Sequence, residues 1–230
     1  MQENLLFLPG LLCDARLWRD QVAAFPDAVV ADLTQDDSVD AIAERALSQI
    51  HGRFALCGLS MGGYVALAIM RIAPGRVSRL CLLDTSARAD TPDQSRRRRG
   101  LMAMTRTNRF RGVTPRLLPQ LLHPDHLANA ALCQDVLDMA ERVGRDAFLR
   151  QQQAILSRPD SLALLPAITV PTLVGAGDHD ALTPPALARE IAGLIPNAAL
   201  RLVSEAGHLP PMEQPDAVNE MLRFWLSMPD

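Results

Sequence analysis

The sequence predicts an α/β fold: a mostly parallel, doubly wound sheet of about six strands, carrying one helical insertion. Two observations point there. Short apolar runs alternate with helix-like segments, the pattern of a parallel sheet covered by helices on both faces. That alternation then fails between Ala87 and Ile168, where about eighty residues carry helical patterning and proline breaks but no strand. The expected organisation is therefore a core formed by residues 1–86 and 169–230, with residues 87–168 inserted into it.

The elements follow in order. Leu5 to Leu8 is the first strand, stopped by Pro9-Gly10, and Ala28 to Ala31 is the second, ended by Asp32. Ser38 to Ile50 reads as a helix capped by Asp37 or Ser38. Phe54 to Cys57 is a short buried strand, and Gly63 to Ala73 an apolar helix stopped by Pro74-Gly75. Leu80 to Leu83 is the fourth strand, followed by Asp84. Pro92, Pro115, Pro119, Pro124 and Pro159 divide the insertion into roughly four helices, and Leu162 to Pro166 leads back to the sheet. Thr172 to Gly175 and Leu200 to Val203 complete the strands, with helices expected at Pro185 to Leu194 and Asp216 to Leu226. In a sheet of this kind functional side chains gather at the carboxyl ends of the strands.

Composition narrows the function. With 230 residues and 48% hydrophobic side chains the chain can bury a sizeable core. A net charge of -3 argues against general nucleic-acid binding. The N-terminal apolar run lacks a basic leader and is cut short by Pro9-Gly10, so a soluble cytoplasmic protein without a membrane segment is expected. Cys13, Cys57, Cys81 and Cys133 form no C-x-x-C pair and read as buried free thiols, neither disulfides nor zinc ligands. All 23 basic residues are arginine, and they are unevenly spread: Arg88 to Leu165 is net +5, leaving -8 elsewhere. The run Arg96-Arg97-Arg98-Arg99 reads as a solvated helix face, with contact to an anionic group as the alternative.

The stretch Gly58-Leu59-Ser60-Met61-Gly62 fits the G-x-S-x-G pattern between a strand and a helix. A sharp turn there lifts the serine hydroxyl clear of the sheet, and glycines on both flanks relieve crowding. The amide of Met61 is then placed to bind a developing oxyanion.

With elbow, sheet and insertion together, the chain resembles the α/β-hydrolase superfamily along essentially its whole length. Leu8-Pro9-Gly10-Leu11-Leu12 matches the loop that donates a backbone N–H to the oxyanion hole, which implies Leu11 as donor; proline stands where many members carry histidine. Ala206-Gly207-His208-Leu209-Pro210-Pro211, followed by Glu213-Gln214-Pro215, matches the loop of the catalytic histidine and implies His208 as general base. Gly177-Asp178-His179-Asp180-Ala181-Leu182-Thr183-Pro184 resembles the acid loop, and its glycine and proline spacing favours Asp180 over Asp178. The order serine, acid, histidine is the one this fold uses. The resemblance also implies that residues 87–168 form a helical cap and that no metal or organic cofactor is needed. The chain departs from larger members in starting directly at the strand before the oxyanion loop, so a sheet without their N-terminal hairpin is expected.

The function so implied is cleavage of a small carboxylic ester, lactone or thioester through an acyl-serine, by a monomer or homodimer. A carbon–carbon hydrolase or elimination lyase using the same residues is the alternative, and a non-catalytic ligand receptor a third. Several residues have competing readings. Asp84 occupies a place where some members carry the acid, and otherwise caps the turn with Thr85 and Ser86. His123-Pro124-Asp125-His126 lacks a third metal ligand and reads as a helix start. His179 reads as a surface residue and not a second base, and Met102, Met104 and Met139 as packing within the insertion, with lining of a pocket wall as the alternative.

Overall fold

The computed structural model describes residues 4–107 and 110–229. Among them the sheet has six strands, all parallel, in the order β2-β1-β3-β4-β5-β6. The strands are β1 (Asn4–Leu8), β2 (Val29–Val30), β3 (Phe54–Leu59), β4 (Val77–Leu83), β5 (Thr172–Gly177) and β6 (Ala199–Val203). Every expected strand is present. β3 runs two residues further than its apolar run suggested, because Gly58 and Leu59 keep pairing with Leu82 and Leu83.

Side-chain alternation divides the core between the two faces of the sheet. Leu6, Leu8, Phe54, Leu56, Leu80 and Leu82 pack on one face with α2 (Val39–Ser48), α3 (Met61–Ile72) and α7 (Pro185–Leu194). Leu5, Phe7, Ala55, Cys57, Cys81 and Leu83 point to the other, where Trp18 stacks on Phe7 and α9 (Pro215–Leu226) contributes Val218, Leu222 and Trp225. Burial on both sides explains why the central strands read as continuous apolar runs. A short helix, α1 (Arg19–Ala24), lies on this second face; its six residues are too few to show a helical period.

A side-chain cap sets the start of α2, and the turn at Ser60 that of α3. Ser38, not Asp37, caps α2 by accepting from the amide of Ala41. α3 starts at Met61, two residues before the apolar helix read from sequence, because the turn at Ser60 passes directly into it.

Between β4 and β5 the described residues are helical and contain no strand. They form α4 (Pro92–Thr107), α5 (Leu118–Leu121) and the long α6 (Ala130–Ser157), broken at Gly144 where φ is 79°. α8 (Pro210–Glu213) precedes α9. Met102 and Met139 are buried as expected, whereas Met104 is 62% exposed. Cys13, Cys57 and Cys81 are buried, and Cys133 is only partly so. The arginine run is not uniformly solvated: Arg96 pairs with exposed Asp93, while Arg98 turns inward to Asp90 and Gln152. Among the described residues no helix is long and apolar enough to cross a membrane.

Candidate active site

The strand order reverses between β1 and β3, and the loops leaving those two strands face each other across that point. Ser60 ends the β3 loop with φ 55° and ψ -114°, a conformation unusual for a residue with a side chain and costing about 1–3 kcal/mol. Close packing holds it there. A Cβ on Gly62 would lie 2.1 Å from the carbonyl oxygen of Leu8, and one on Gly58 2.4 Å from that of Gly62, so only glycine fits on either flank. Ser60 N–H donates to Leu83 O, and the Thr85 hydroxyl donates to Ser60 O at 2.7 Å.

His208 follows β6 and is buried at 5% exposure, with Nε2 2.9 Å from Ser60 Oγ. Its Nδ1 lies 2.8 Å from Asp180 Oδ2. Asp180 follows β5, and its other oxygen accepts the amides of Leu182 and Thr183 at 2.8 and 3.0 Å. The Thr183 hydroxyl donates to Oδ2. Burial works against the carboxylate charge, but the charge of His208 and these hydrogen bonds outweigh it and hold Asp180 well below the usual carboxylate range. Asp178 is placed differently: its Oδ1 meets exposed His179 at 2.8 Å and accepts the amide of Ala206 at 3.3 Å.

The loop after β1 supplies the fourth element. Cys13 N–H donates to Gly10 O, and Leu12 N–H donates to Gln151 Oε1 at 3.1 Å. Leu11 N–H is left without an acceptor among the described residues. Met61 opens α3, where the first N–H groups have no intrahelical partner. The structure thus brings Ser60, Asp180 and His208 together and leaves Leu11 and Met61 with amides to donate.

The roles of two residues escaped the sequence reading. Gln151, fully buried on α6, accepts from Leu12 and donates to Leu33 O, tying the helical insertion to the β1 loop. Nothing in a run of three glutamines marks Gln151 and Gln152 as buried and Gln153 as exposed. Glu213 is likewise buried, its Oε1 accepting the amides of Gly207 and Leu209.

Asp84 does not cap Thr85 and Ser86. It has φ 45°, and its Oδ1 accepts the amide of Gly177 at 2.8 Å, joining the ends of β4 and β5. Its Oδ2 has no partner among the described residues, and burial, then the charge of Asp180, pushes its pKa well up. Ligand atoms of Asp84, Asp180 and His208 lie within 4.8 Å of one another, but those of Asp180 and His208 are at hydrogen-bond separation. His123 begins a short 3₁₀ helix by accepting from Asp125 N–H, so His123-Pro124-Asp125-His126 is a helix start.

Apolar packing surrounds the β1 loop. Leu11 and Leu12 meet Phe110, Val113, Ala140, Val143 and Phe148 of the insertion. A separate cavity of about 410 Å³ between α4 and α6 is lined by Arg99, Met102, Arg106, Gln153, Leu156 and Ser157, and by none of the five predicted site residues.

Comparison with known proteins identifies the family. The profile described as the alpha/beta hydrolase family matches residues 5–221. A pimeloyl-acyl-carrier-protein methyl ester esterase from Neisseria meningitidis is 29% identical over 215 residues, covering 90% of this chain and 67% of the relative. A thermophilic esterase from Thermogutta terrifontis, solved with malate bound, superimposes with a TM-score of 0.90 at 29% identity, covering 98% of this chain and 90% of that one. The enol-lactonase from Burkholderia xenovorans LB400 shares the fold at a TM-score of 0.88 and 23% identity, with 99% of this chain and 92% of that one covered.

Proposed function

Because this chain belongs to the alpha/beta hydrolase family, we propose that it cleaves a small carboxylic ester, lactone or thioester through an acyl-serine intermediate. It is a hydrolase acting on ester bonds, the activity named for relatives that match it along most of its length. The observation that carries the finer reading is the continuous hydrogen-bonded line from Ser60 Oγ through His208 to Asp180.

In this reading Ser60 Oγ attacks the substrate carbonyl as its proton passes to His208 Nε2. Asp180 holds the ring with Nδ1–H toward Oδ2 and stabilises the imidazolium that forms. The carbonyl oxygen becomes an oxyanion, which the amides of Leu11 and Met61 bind, each contributing about 3 kcal/mol by analogy with a measured oxyanion hole. The imidazolium then protonates the departing alcohol or thiol, leaving an ester of Ser60. A water molecule, deprotonated by His208, attacks that ester; collapse releases the acid and returns the proton to Ser60.

Residues 87–168 form the cap of this site. Its apolar side chains meet the β1 loop from Phe110, Val113, Ala140 and Phe148, which favours an uncharged group beside the reacting carbonyl. The test is Ser60→Ala, assayed on a panel of small esters and lactones and with a fluorophosphonate probe. Turnover should fall by about 10⁴-fold or more, and labelling should vanish. Retention of both would overturn the proposal.

A further inference from the structure

The loop of His208 is held on one side by the loop after β5, where Ala206 O accepts from His179 N–H and Ala206 N–H donates to Asp178, and on the other by the helical insertion. His208 N–H donates to Leu121 O at 2.8 Å, and a Cβ on Gly207 would come within 2.8 Å of His123 N, Leu121 O and Leu122 C. Glu213 completes this contact. Its side chain is fully buried, and its two oxygens face different parts of the molecule. Oε1 accepts from Gly207 N–H at 2.9 Å and Leu209 N–H at 3.1 Å, the two amides that flank His208. Oε2 accepts from His123 N–H at 2.6 Å and lies 3.0 Å from His126 Nδ1, both in the insertion. A carboxylate offers only acceptors, so His126 presents Nδ1–H to it.

We propose that Glu213 is a positioning residue that couples the seating of the helical insertion to the orientation of His208. Charge-assisted hydrogen bonds to a buried carboxylate are strong, and a buried carboxylate left without partners is costly. One rigid group therefore binds both sides, and neither the loop nor residues 121–126 moves without breaking two of its four bonds. Catalytic geometry tolerates only about 0.5 Å of looseness, so a loosened loop lowers the rate without removing any reacting group.

Glutamine at this position has a single acceptor oxygen. It can serve Gly207 and Leu209 or the insertion, but its NH₂ then faces an N–H donor on the other side. Nearby charges do not replace it: Asp125 is exposed and lies beside His123, and Asp178 is engaged by His179 and Ala206.

The inference rests on His208 being the general base, and the experiment separates the two. His126→Ala, Glu213→Gln and the double variant are compared with the unsubstituted protein for kcat, KM and amide hydrogen exchange of residues 205–209. Each single variant should lose about 10- to 100-fold in kcat with KM changed far less. Exchange at Gly207 and Leu209 should quicken in both, and the double variant should be no worse than Glu213→Gln. Unchanged exchange and kcat in His126→Ala, or strictly additive losses, would overturn the coupling. His126 is partly exposed, so this variant decides the matter even if Glu213→Gln fails to fold. Exchange needs no turnover, so failure of the serine mechanism in Ser60→Ala would be seen independently.

Discussion

Asp180 Oδ2 lies 2.8 Å from His208 Nδ1, while Asp178, two positions earlier, is turned toward the exposed ring of His179. The two carboxylates therefore predict different variants. Asp180→Asn should lower kcat by about 10⁴-fold, because the amide no longer stabilises the imidazolium or favours its tautomer. Asp178→Asn should stay within about threefold, since that side chain touches no proposed reacting group. Steady-state kinetics on one ester substrate checks both, and a reversed order of losses would sink the assignment of the acid. Because Asp180 is held below the usual carboxylate range, its contribution to stability is present above its unfolded pKa and is lost as pH falls through the folded one.

Gln151 predicts an effect on transition-state binding. Its Oε1 occupies Leu12 N–H, which sets the loop so that Leu11 N–H is the amide left to donate. Leucine at position 151 removes that acceptor and orphans Leu12 N–H and Leu33 O. Gln151→Leu should lower kcat by roughly 10- to 100-fold. It should weaken a trifluoromethyl ketone inhibitor in parallel, while substrate KM moves little. A variant with unaltered inhibitor affinity would show that Gln151 does not set the oxyanion loop.

Asp84 predicts a pH-dependent stability. Burial and then the charge of Asp180 raise its pKa, so the folded protein keeps a proton that the unfolded chain releases. The sign follows: this group's contribution is fully present below its unfolded pKa, about 3.9, and is lost as pH rises toward the folded value. Asp84→Asn removes the titration and can donate from its NH₂ where Oδ2 now lacks a partner. The variant's melting temperature relative to the unsubstituted protein should therefore rise as pH goes from about 4 to 8. A constant difference across that range would contradict a protonated Asp84.

Much of the fold was legible because local pattern and global architecture agree. Apolar runs buried on both sheet faces, proline and glycine stops, and a serine at position 38 each act over a few residues, and each leaves a trace in the chain. Only context decided the rest. Six residues are too few to reveal α1, and pairing with β4 extended β3 through Gly58 and Leu59. Met104 and Met102 are alike as letters, yet one faces solvent and the other does not.

By itself the sequence determined the class of sheet, the turn at Ser60, and the loops that bring Asp180 and His208 toward it, since turn and strand-end geometry depend on nearby residues. Tertiary structure alone decided which buried polar groups meet across the chain: Gln151 with Leu12, Asp84 with Gly177, and Glu213 with both sides of the histidine loop. The physical reason is that a hydrogen bond depends on distance and direction in space. Separations of 139, 93 and 90 residues leave no periodic trace along the chain.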